Sequence, residues 1–147
     1  MTHNEITIKA AKWLKRHPDN IAIPNCSVVA HELVAATPTG EIPDVIGWCS
    51  WASVLIEVKT SKADYHKDSN KPFRSDLQMG MGEFKYYLCP IDLITAEELP
   101  EYWGLLHINK SGQISIIKKA TQHQCNLRSE RAALLSLQNK KPKSKQP

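Results

Sequence analysis

E-I-P-D-V-I-G-W-C-S-W-A-S-V-L-I-E-V-K, residues 41–59, holds two short apolar runs. Asp44 heads the first, directly after Pro43; Glu57 and Lys59 end the second, with Val58 between them. Side chains two apart on a strand project from one face. Val54, Ile56 and Val58 therefore face one way, and Ser53, Leu55, Glu57 and Lys59 the other. V-L-I is apolar on both faces, the pattern of a strand inside a sheet rather than at its edge. If the runs, near 43–48 and 52–60, pair as a hairpin through Cys49 and Ser50, Asp44 returns to the end where Glu57 and Lys59 stand. Two carboxylates and an ammonium then meet at the rim of a sheet, a constellation suited to a divalent metal.

Upstream, residues 5–16 have helical periodicity, with Ile6, Ala10, Trp13 and Leu14 on one side and Lys12, Lys15 and Arg16 elsewhere. Thr2 and Glu5 have capping-box spacing, and Pro18 stops the helix. The basic face either meets solvent or meets phosphate. The run 27–36, S-V-V-A-H-E-L-V-A-A, has the β-branched content of a strand. Glu32 interrupts it, and a carboxylate in a buried strand is costly unless it is paired or bound to a cation.

Downstream, Ser61 and Asp64 cap a helix that opens at 62. Between Lys59 and Arg74 stand five basic residues, Lys59, Lys62, Lys67, Lys71 and Arg74, against Asp64 and Asp68. Tyr65, His66 and Phe73 are interleaved, so the segment suits a phosphate backbone with rings available to stack. A strand near 84–89 follows the Gly80/Gly82 turn, with Gln78 before it as a residue that could orient a ligand. Thr95 caps a short helical turn, strands near 103–108 and 113–118 form a hairpin holding His107 as a packed histidine, and a last helix covers 127–139. This is an α/β order in one domain, 1–139, followed by a basic tail, 140–147, expected to be disordered.

At 147 residues, 41% hydrophobic and 23% charged, the chain has the composition of a single soluble domain. No apolar run approaches the roughly 20 residues that span a bilayer, and the amino terminus lacks a signal-peptide pattern. Cys26, Cys49, Cys89 and Cys125 are far apart, as expected of unpaired thiols in a reducing cytoplasm. The net charge of +4 is matched by Lys140, Lys141, Lys143 and Lys145 of the tail alone. Overall charge thus says nothing about a nucleic-acid partner, and only local charge can.

Phosphodiester hydrolysis needs an attacking hydroxide, neutralised charge on phosphorus and a stabilised leaving oxygen. Carboxylates suit Mg²⁺, which takes few protein ligands and keeps its waters, and an adjacent lysine helps to position or deprotonate the attacking water. Asp44 after Pro43, then Glu57-Val58-Lys59 after an interval of twelve residues, resembles the signature of the PD-(D/E)XK nuclease superfamily. The order helix, three strands, helix, strand is similar too, and I-E-V-K-T-S-K-A-D-Y, G-M-G-E-F-K-Y-Y-L-C-P and E-E-L-P-E-Y-W-G-L-L look like small phage and bacterial members of that group. The resemblance spans about residues 5–118. It implies a restriction-endonuclease-like core, a central mixed β-sheet flanked by helices. It further implies a Mg²⁺ ion, replaceable by Mn²⁺, held by Asp44, Glu57 and the Val58 carbonyl, with Lys59 catalytic and Glu32 an additional acidic site residue. The expected partner is DNA, gripped by Lys62, Lys67, Lys71 and Arg74, and a homodimer is compatible with the resemblance. The expected activity is DNA cleavage in repair, recombination or phage DNA processing. The alternative is a non-catalytic DNA-binding or protein-interaction module on the same fold, with Glu57 and Lys59 a surface ion pair. A cysteine nucleophile finds no base placed beside it.

Overall fold

A computed structural model of the chain describes residues 1–33, 40–71, 74 and 76–139. Helix α1 (His3–Arg16) leads into strands β1 (Val28–His31), β2 (Val45–Trp48) and β3 (Ser53–Val58). Helix α2 (Lys62–Ser69), strand β4 (Phe84–Pro90) and a 3-10 turn (Ala96–Glu98) follow. Strands β5 (Gly104–Ile108) and β6 (Ile114–Lys118) and helix α3 (Leu127–Asn139) are the last elements among the described residues. The caps fall where hydroxyls permit: Thr2 Oγ1 accepts from the Glu5 N–H and Ser61 Oγ from the Asp64 N–H, each at 3.1 Å. Thr95 and Glu98 form a capping box on the 3-10 turn.

The six strands form one sheet in chain order, antiparallel from β1 to β3, parallel from β3 through β5, and antiparallel again to β6. The protein is thus α/β, with a mixed sheet flanked by helices. Strand β3 is buried along its whole length, as its two-sided apolar run requires. Its faces divide as the alternation predicts. Val54, Ile56 and Val58 join a core layer with Ile6, Ala10 and Leu14 of α1. Leu55 joins the opposite layer with Tyr65 of α2 and Ala133 of α3.

Two polar anchors hold this second layer. Glu130 of α3 accepts from Trp48 Nε1 at 3.1 Å, from Ser53 Oγ and the Gly82 N–H at 2.8 Å, and from Cys125 Sγ at 3.0 Å. It thereby fastens α3 to the turn end of the β2–β3 hairpin. Lys85, fully buried in β4, donates to the carbonyls of Met81 and Gly82, and burial lowers its pKa to about 8. All four cysteines are free. Among the described residues no helix is long and apolar enough to cross a membrane.

The expected strand over 27–36 is corrected, because β1 stops at His31. Glu32 takes a left-handed backbone (φ 50°), which breaks the extended run and leaves its side chain exposed rather than buried in a strand. The rest of that run beyond Leu33, with Phe73 and the 140–147 tail, lies outside the described residues.

Helix α1 approaches the sheet over Gly47, where a Cβ would stand 2.7 Å from Leu14 Cδ2 and 2.8 Å from Cys26 Cβ. The space is already filled by side chains that fix the helix height. Gly47→Ala is therefore expected to lose about 1–3 kcal/mol through overpacking, read as a lower midpoint in urea unfolding.

Candidate active site

The open end of the β2–β3 hairpin carries the candidate site. Val45 pairs with Ile56, so the register carried one step further sets Asp44 opposite Glu57. Asp44 Oδ2 accepts the Val58 N–H at 2.8 Å and lies 3.4 Å from His3 Nε2 at the start of α1. Asp44 and Glu57 also share a side-chain hydrogen bond, which requires one of them to hold the proton. Burial pushes Glu57 well above the usual carboxyl range; Asp44 and Asp68 add to this, and Arg74 opposes it. Of the two acids, Glu57 is the one whose neutral form burial favours.

Pro43 contributes by what it lacks. The N–H and C=O of one strand residue point to the same side, and the Val58 N–H points to the β2 side, at Asp44. The Val58 carbonyl faces that way too. There the ladder would offer it the N–H of residue 43, and proline has none.

Beneath the rim lies a buried ion network. The Arg74 guanidinium, 4% exposed, reaches Glu41 Oε2 at 2.9 Å, Asp68 Oδ2 at 2.9 Å and Glu57 Oε1 at 3.0 Å. The contact to Glu57 is close without hydrogen-bond alignment, so that buried oxygen has no hydrogen bond. Asp68, 1% exposed, also accepts the Tyr87 hydroxyl at 2.6 Å and stands 3.4 Å from Lys59 Nζ and 3.2 Å from Lys71 Nζ. Burial alone would raise Asp68, but Arg74, with Tyr87 and Lys59, holds it below the ordinary carboxylate range. Glu41 is fixed by the Met81 N–H at 2.8 Å. Four carboxylates (Glu41, Asp44, Glu57, Asp68) face three cations (Lys59, Lys71, Arg74), which leaves one formal negative charge.

The predicted residues divide in three. Asp44, Glu57, Val58 and Lys59 come together at the rim. A groove of about 300 Å³ opens there, lined by His3, Val58, Lys59, Lys67, Asp68 and Lys71 among others. Lys67 and Lys71 line this groove, with Lys71 paired to Asp68 at 3.2 Å. Glu32 is beside the site through its backbone, donating its N–H to the Asp44 carbonyl at 2.8 Å, with its side chain exposed. Lys62 is outside the groove and pairs with Glu98 at 2.7 Å. The expectation for Arg74 is corrected, because three buried carboxylates enclose its guanidinium and keep it from a phosphate. Tyr65 is no stacking ring either; it is buried against Tyr87 and bonds the Glu98 carbonyl at 2.7 Å. Gln78 lines a different groove with Asp76, Leu77, Pro100, Glu101 and Tyr102, which Arg74 also borders. His107 is packed, with Nε2 2.9 Å from the Ile94 carbonyl.

Residue reading missed Glu41, Asp68 and His3. Asp68 had a signal: it follows Tyr65 by three on a helix, so a core-facing tyrosine implies a core-facing aspartate. Glu41 and His3 had none, since their partners are remote in sequence.

No group of three or more His, Cys, Asp or Glu side chains that could hold a metal occurs among the described residues. Mg²⁺ asks for less, one or two carboxylates with waters and substrate oxygens completing the shell. The proton-sharing Asp44–Glu57 pair, the unbonded Glu57 Oε1 and the Val58 carbonyl fit that demand.

The chain matches no protein-family profile and no curated protein. The fold has a counterpart among solved structures, the SPO1766 protein of unknown function from Silicibacter pomeroyi. It superposes with a TM-score of 0.67 at 20% identity, over 95% of this chain and 86% of that one. At that identity the likeness concerns the fold alone.

Two stability outcomes follow from the charges. A raised carboxyl stabilises below its unfolded value, and that contribution is lost as pH rises through the folded value. Asp68, held low, contributes above the ordinary carboxylate range and loses its contribution as pH falls. Glu57→Gln in metal-free buffer is thus expected to raise the melting temperature at pH 8 by roughly 3 °C, ~1 kcal/mol for a chain of this size, with the gain shrinking towards pH 5. Arg74→Met strands Glu41 and Asp68 and is expected to cost about 3–5 kcal/mol in urea unfolding; Lys67→Met should stay within about 0.5 kcal/mol.

Proposed function

We propose that this protein is a metal-dependent deoxyribonuclease on a restriction-endonuclease-like core. The observation that supports it best is the hairpin register, which faces Asp44 with Glu57 while Lys59 stands beside them in a groove with Lys67 and Lys71.

In this reading Asp44, Glu57 and the Val58 carbonyl hold Mg²⁺ or Mn²⁺. The bound ion would acidify a water and polarise the phosphoryl oxygen. Burial favours the neutral form of Glu57, so a bound ion would compete with a proton there, and both ionised carboxylates would serve as oxygen donors. Lys59 Nζ, steadied by Asp68 at 3.4 Å, keeps an ammonium at the groove wall. There it orients the attacking water and offsets charge on the scissile phosphate. Lys67 and Lys71 attract the flanking phosphates without reading bases.

One observation favours a second reading. Arg74 already sets a cation 3.0 Å from Glu57, so the site could be balanced without metal in a DNA-binding or interaction module. Cleavage decides between them. Incubated with supercoiled, linear and single-stranded DNA, the protein is expected to cut in Mg²⁺ or Mn²⁺ and not in EDTA. Glu57→Ala and Lys59→Ala are each expected to lower the rate at least roughly 100-fold while DNA binding stays measurable. Absence of cleavage by the unaltered protein, or undiminished cleavage by either variant, refutes the nuclease reading.

A further inference from the structure

We propose that the groove between α1 and β1 is a second nucleic-acid subsite, which holds the phosphate backbone of a DNA strand extending away from the Asp44–Glu57 pair. The groove, about 280 Å³, is lined by Ile8, Ala11, Lys12 and Lys15 of α1 and by Val29 and His31 of β1. It deepens the nuclease reading by adding a strand path, and its test is separable from that reading.

Both walls of the groove begin at the carboxylate pair. Helix α1 starts at His3, whose Nε2 is 3.4 Å from Asp44 Oδ2. Strand β1 ends at His31, paired with Val45, and the next residue donates its N–H to the Asp44 carbonyl. A strand leaving the site along this channel would meet Lys12 about 14 Å and Lys15 about 18 Å from His3, at 1.5 Å of axial rise per residue. Positions 8, 12 and 15 share one helix face, and both lysines are exposed.

The chemistry of the lining selects the ligand. Two ammonium groups on one wall suit repeated phosphates. Ile8, Ala11 and Val29, with the His31 imidazole, offer the apolar and flat contact that sugars and unstacked bases seek. On the other side of the carboxylates stand Lys59, Lys67 and Lys71. The candidate scissile position thus lies between two basic grooves, as a phosphodiester in the interior of a strand would need. A solvated helix face would place lysines without an apolar floor between them and the edge of the sheet.

The test measures affinity without metal, so that no strand is cut. A labelled 20-nucleotide single strand is titrated in EDTA against the full chain, Lys12→Ala/Lys15→Ala, and a control, Lys118→Ala/Lys119→Ala, whose exposed lysines lie at the end of β6, at the sheet edge opposite β1. The groove variant is expected to bind roughly tenfold more weakly, and its salt slope should fall by about 1.4, ~0.7 for each lost phosphate contact on a single strand. The control should match the unaltered protein, and unchanged melting temperatures would show that all three are folded. Equal affinity and slope for the groove variant, or an equal loss in the control, overturns the subsite. So does a polyglutamate that binds as tightly and with the same lysine dependence. With Mg²⁺, KM is expected to rise with little change in kcat. If no DNA is cut by any form yet the groove variant still loses affinity, the nuclease reading fails and the subsite stands.

Discussion

One guanidinium underlies the arrangement. Arg74 lies inside the protein against Glu41, Asp68 and Glu57, three carboxylates drawn from the loop before β2, from α2 and from β3. Each acid alone would be expensive to bury, and so would the arginine. Together they exchange water for one another, at a desolvation cost that only a complete set of partners offsets. The set is nearly complete: Tyr87 and the Met81 N–H fill further lone pairs, and the Trp103 ring lies 5.3 Å from the guanidinium carbon. Two of its buried oxygens lack a hydrogen bond among the described residues: Asp68 Oδ1, which has the Lys59 and Lys71 ion pairs, and Glu57 Oε1, which is close to Arg74 but poorly aligned. The network thus supports the rim from below, with Glu57 as its link to Asp44.

This division of labour separates stability from chemistry. Asp68 is held below the ordinary carboxylate range by Arg74, Tyr87 and Lys59, while burial pushes Glu57 above it. Both belong to one electrostatic unit, and Lys59 is tied to Asp68 rather than to Glu57, the partner two residues away that sequence alone would give it.

What was legible in the residues was the hairpin and its rim. Alternation along Ser53–Lys59 gave both faces of β3, and the apolar V-L-I run gave its interior position. Asp44 and Glu57 could be set opposite one another because a hairpin fixes register locally. Long-range burial was not legible. Arg74 sits in a locally basic segment and reads as a phosphate contact until Glu41, thirty-three residues away, is seen against it. Glu32 reads as part of a strand because a left-handed backbone leaves no mark on a single glutamate. Lys85 interrupts a run of aromatic and aliphatic residues in β4, and only the carbonyls of the preceding turn explain why it can stay buried there.

The hairpin is fastened at both ends by groups from outside it. Glu130 grips Trp48 and Ser53 at the turn, and Arg74 meets Glu57 at the open end, where Asp44 also bonds the Val58 N–H. A slip of β3 by a single residue would rotate Glu57 onto the face now packed by Ile6, Ala10 and Leu14, and would turn Val58 towards Arg74. Neither misalignment can be relieved locally, because the helix layers on the two faces are chemically unlike. The spacing of the rim groups is therefore inherited from the threading of the whole sheet. A protein that has closed its core has no second alignment in which Asp44 and Glu57 miss one another.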